Sequence, residues 1–76
     1  MNTRFTMAAL NANDVIRILK ANGFVFDRHA KGSHELWYNP ATKRRTIVPN
    51  HGSKDIPKPT LSKIVKQSGI SPREFR

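Results

Sequence analysis

Two segments with helical spacing of apolar residues lie towards opposite ends of this chain, and three short runs of aromatic and β-branched residues lie between them. That order constrains the fold more than any other feature, because each amphipathic stripe must be covered and the intervening strands supply the surface. Asn13 is an N-cap type of residue, and Asp14 places a carboxylate in the first turn, where the helix dipole favours it. Val15, Ile16, Ile18 and Leu19 then recur at gaps of three and four, with Arg17 and Lys20 on the polar side. Gly23 suits the left-handed residue that follows a helix, and Phe24 suits the apolar contact after it, so the first helix is expected over residues 14–21. Pro57 and Pro59 precede Leu61, Ile64 and Val65, a second helical stripe, and Gly69-Ile70 repeats the glycine-then-apolar stop. Ser71-Pro72-Arg73-Glu74 has capping-box spacing and predicts one last short turn.

Between the helices, residues 24–28, 34–38 and 44–48 read as strands. Asn39-Pro40 opens a turn, since asparagine suits its first position and proline presets the next, and so strands two and three form an antiparallel hairpin. Pro49 closes the third strand. The expected architecture is an α+β, α-β-β-β-α domain: a three-stranded antiparallel sheet with both helices on one face. Residues 1–12 show no clean periodicity and are expected to form a mobile or weakly docked extension, leaving 13–76 as a single domain.

Fourteen Lys and Arg against five Asp and Glu give a net charge of +9. Such a chain seeks polyanions: nucleic acid, an acidic protein or an anionic membrane. The membrane is the weakest of the three, because neither helix joins a basic face to a bulky aromatic one, and no apolar run approaches the ~20 residues of a span. The absence of cysteine removes disulfides, thiol catalysis and cysteine-based zinc sites. No signal-peptide pattern opens the chain, and a cytoplasmic protein is the default expectation.

The chemistry-bearing residues gather around glycine. His34 follows Lys31-Gly32-Ser33, where glycine admits a phosphate closely, lysine supplies charge and serine a hydrogen bond. An imidazole there can move protons near neutral pH; the alternative is a surface histidine at a strand start with no role. His51 lies in a similar loop with Gly52, Ser53 and Lys54, while His29 is expected to face solvent. No histidine stands four residues from another, so no metal site is expected. Lys43, Arg44 and Arg45 at the hairpin end, with Lys58 beyond, can track a phosphate backbone. Trp37 and Tyr38 must point to opposite faces. Leu36 is the best core candidate, which would put Trp37 on the other face, where it could stack on a base or fill an interface; a core place is the commoner role for at least one of the two aromatics, and the sequence leaves open which.

Five segments together resemble the HicA toxins, the mRNA interferases of HicAB toxin–antitoxin systems. They are Asn22-Gly23-Phe24, Lys31-Gly32-Ser33-His34, Val48-Pro49-Asn50-His51-Gly52, Ile56-Pro57-Lys58 with Thr60-Leu61, and Lys66-Gln67-Ser68-Gly69-Ile70. The resemblance covers residues 13–70. It implies a fold similar to the double-stranded-RNA-binding domain and metal-independent mRNA cleavage through His34, with no cofactor. It also implies a HicB-type antitoxin that masks this histidine; His34 and Trp37 are the expected contacts. Pro59 stands where the family usually shows glycine, but proline presets a helix start, so the helix is expected to survive.

The chemistry this implies is attack of a ribose 2′-hydroxyl on its own 3′ phosphorus. His34 would handle the protons, and Lys31, Lys54 and the Gly32 and Ser33 amides would stabilise the phosphorane charge, with His51 as an open second partner. Two rivals use the same charge without chemistry: a double-stranded-RNA-binding-like module that holds RNA uncut, and a domain that meets only an acidic protein.

Overall fold

Asn11, two residues before the expected cap, starts helix α1 (Ala12–Ala21). Its side-chain oxygen accepts the Asp14 N–H at 2.9 Å, and the Asp14 carboxylate accepts the Asn11 N–H at 3.0 Å. This reciprocal box needs a spacing of three, which Asn13 does not have relative to Asp14. The earlier start also buries Ala12 beside Val15 and Leu19. Asn11→Ala is expected to lower stability by about 1 kcal/mol, a melting-temperature fall of about 4–8 °C. Exposed Asn13→Ala should barely move it. Equal effects in thermal melts of the two variants would overturn the Asn11 cap.

The computed structural model describes residues 9–76. The extension expected over 1–12 therefore lies largely outside the described residues, but its last part belongs to the domain. Leu10 is buried, its carbonyl accepts the Ile56 N–H at 2.8 Å, and Asn11 bridges to Asp55.

At the far end of α1, Gly23 takes φ +91° and the Phe24 N–H returns to the Leu19 carbonyl at 3.0 Å. That closure turns the chain into β1 (Val25–His29), which pairs with β2 (His34–Asn39), which pairs in turn with β3 (Arg44–Pro49), all antiparallel. The Asn39 side chain governs the hairpin, accepting the Ala41 N–H at 2.9 Å and donating to the Asn22 carbonyl at 3.0 Å. It thereby ties the turn to the end of α1. Helix α2 (Lys58–Ser68) carries Pro59 in its first turn, so the substitution leaves the helix intact, and Gly69 caps it at φ +71°.

One core joins Val15 and Leu19 of α1, Leu61, Ile64 and Val65 of α2, and Trp37 and Val48 of the sheet. The α-β-β-β-α order, the antiparallel sheet and its two covering helices are thus as expected. The facing of β2 is not. Trp37 is 4% exposed and sits inside, whereas Leu36 is only half-buried on the open face. The indole is the larger apolar surface, and its N–H finds the Glu35 carboxylate at 3.1 Å, so burying it leaves no donor unpaired. Lys20, exposed as expected on the polar side of α1, holds its ammonium 5.8 Å from the centre of this ring.

The last turn forms at Pro72–Glu74 as a 3-10 helix, but not with a full capping box. Ser71 Oγ accepts the Arg73 N–H at 3.4 Å, while the Glu74 carboxylate accepts from the Asn22 side-chain amide at 2.9 Å. The C-terminal segment is thus fastened to the end of α1.

Candidate active site

The β1–β2 connection delivers His34. The Ala30 N–H donates to the His34 carbonyl at 2.8 Å, and the His34 N–H to the Lys31 carbonyl at 3.1 Å. Gly32 sits between them at φ +62°, a left-handed position that glycine takes without strain. Pairing then sets His34 opposite Pro49, and strand alternation turns its side chain away from the Glu35–Trp37–Asn39 face. The imidazole is exposed and forms no side-chain hydrogen bond with the described residues.

Beside it a groove of about 310 Å³ runs between β3 and α2, lined by His34, Ile47, Pro49, Thr60, Lys63 and Gln67. The helix contributes three of these residues along one flank, at positions one and two turns apart. Gln67 anchors that flank: the Thr46 hydroxyl donates to its side-chain oxygen at 2.9 Å, and the Arg44 guanidinium to its backbone carbonyl at 3.3 Å.

The other expected site residues divide between two places. Ser33 and His51 share a hydrogen bond of 3.2 Å between Oγ and Nε2, and the Asn50 N–H donates to the Ser33 carbonyl at 2.9 Å. Asn50 also donates to Glu35 at 2.8 Å and accepts the Gly52 N–H at 3.0 Å, so the glycine loop is stitched to β2. His51, Lys31 and Lys54 are exposed, and none lines the groove.

Lys43, Arg44 and Arg45 stand at the opposite end of the β2–β3 hairpin from His34. Arg44 is engaged with α2, and its guanidinium lies where a side chain on Gly69 would have to go, 2.6 Å from that site's Cβ position. Arg45 stacks on Tyr38 at 4.8 Å. Lys58 is exposed in the first turn of α2. Trp37, expected as a surface contact, has almost no exposed surface to offer a partner.

Sequence reasoning missed Thr60, Lys63 and Gln67. A signal existed: the three lie on one polar flank beside the Leu61–Ile64–Val65 stripe. Only the packing of α2 against β3 says what that flank overhangs. Among the described residues no three His, Asp or Glu are gathered as a metal site, and no helix is long and apolar enough to cross a membrane.

A small two-layer domain of net charge +9, with an exposed histidine and a lysine sharing one groove, defines a class: basic domains suited to a polyanionic partner. Residues 12–70 match the family model described as the HicA toxin of bacterial toxin–antitoxin systems. The chain belongs to that family. No curated protein sequence matches it.

Proposed function

We propose that this protein is the toxin of a toxin–antitoxin pair and acts as a metal-independent endoribonuclease on mRNA in the cytoplasm, with His34 as its catalytic residue. The observation that carries the reading is an exposed imidazole, uncommitted to any described residue, at a groove that also holds a cation. In the reaction His34 accepts the proton of a ribose 2′-hydroxyl. The 2′ oxygen attacks the adjacent phosphorus in line, the bond from phosphorus to the 5′ oxygen breaks, and that oxygen takes up a proton. The products are a 2′,3′-cyclic phosphate and a free 5′-hydroxyl. A single histidine can serve both transfers in turn.

Membership in a toxin family supports an antitoxin partner. An acidic protein of the HicB type, complementary to the +9 charge, would silence the enzyme by covering His34. Cleavage of RNA in EDTA, with cyclic phosphate ends and intact DNA, is the expected result for the purified chain. RNA that is bound but left whole would support the binding-module reading instead. Ends bearing 5′-phosphate, or cleavage lost in EDTA, would overturn the transesterification route.

A further inference from the structure

The geometry points to Lys63 as a second catalytic residue, its ammonium meeting the non-bridging phosphate oxygens as charge builds on them in the transition state. The inference deepens the nuclease reading and rests on it. It adds Lys63 to the sequence-based candidates Lys31 and Lys54, neither of which lines the groove that His34 and Lys63 share.

Three observations converge. First, Lys63 enters the groove from the helix while His34 enters from the sheet, so a phosphodiester laid between β3 and α2 meets a proton carrier on one wall and a cation on the other. Second, Lys63 is exposed and makes no ion pair or hydrogen bond with the described residues, so its donors are free for a ligand. Third, the helical flank that carries it is held to β3 through Gln67, which receives the Thr46 hydroxyl and the Arg44 guanidinium one turn further on. The backbone from which Lys63 projects is thereby held at the groove's edge, within reach of a phosphate laid against His34.

The phosphorane carries more negative charge than the ground-state diester. A cation aimed at its oxygens therefore stabilises the transition state more than the bound substrate, and its loss falls on kcat. A lysine that merely tethered the backbone would show its loss in KM and in the salt dependence of binding.

The test uses the full chain with a short RNA carrying one cleavage site, comparing Lys63→Met, Lys63→Arg and His34→Ala. Lys63→Met is expected to lower kcat about 100-fold while RNA affinity changes less than about 3-fold, and Lys63→Arg, which keeps the charge, should recover most of the rate. The melting temperature should not move, because the side chain has no described partner to lose. If Lys63→Met cleaves at the parent rate while His34→Ala is inactive, the His34 reading stands and the Lys63 assignment falls. A loss confined to KM also overturns it, leaving a phosphate tether. If His34→Ala cleaves like the parent, the nuclease reading itself fails and this inference with it.

Discussion

His34→Ala is expected to lower the rate of RNA cleavage by about 10²–10⁴-fold, the span that a positioned general acid or base contributes. Stability should stay within about 0.5 kcal/mol of the parent, because the ring is exposed and holds no described side-chain partner. The two halves of this expectation matter together. A structural histidine would lose stability and activity in parallel, whereas a proton carrier loses activity alone. Imidazole added to the buffer should restore part of the rate by occupying the vacated corner of the groove. RNA binding should persist, since the basic residues at the hairpin end and on α2 are untouched. Gel-based cleavage assays beside thermal melts decide the matter; a His34→Ala protein that cuts RNA at the parent rate ends the nuclease proposal.

Phe75→Ala is expected to cost about 3–5 kcal/mol. A domain of this length has a total stability of roughly 4–11 kcal/mol at 0.05–0.15 kcal/mol per residue, so this one change removes a large part of it. The reason is location. Phe75 is fully buried. Its N–H donates to the Pro72 carbonyl at 3.0 Å, and the adjacent Glu74 holds the segment to Asn22. The short 3-10 turn thus works as a clasp that presses an aromatic ring into the core. Phe26→Ala removes the same side chain from β1, where it is 46% exposed, and should cost well under half as much. Urea unfolding of the pair measures the difference. A Phe75→Ala loss below about 1 kcal/mol would contradict full burial of this ring.

Much of the frame is legible in the residues because its signals are local. The glycine-then-apolar stops at Gly23-Phe24 and Gly69-Ile70, the Asn39-Pro40 turn and the two helical stripes each act within a few residues, and each appears in the structure where expected. The element order and the glycine-rich approach to His34 follow from them, as do the segments that resemble the family to which the chain belongs.

What only the tertiary structure decided depends on contacts across long stretches of sequence. A strand of period two offers two faces, and nothing within residues 34–39 says which one the helices will cover. The choice fell to Trp37 over Leu36 because the covered face gains more apolar area and still pairs the indole N–H with Glu35. Arg44 donates to a carbonyl in the last turn of α2, 23 positions away, a contact that nothing near it in sequence announces. Lys63 reaches the groove of His34 because α2 settles along β3 with Gln67 on Thr46. Hydrogen bonding over a few residues can be read from their order; the facing of a sheet and the company kept by a lysine are set by how whole elements minimise exposed apolar surface together.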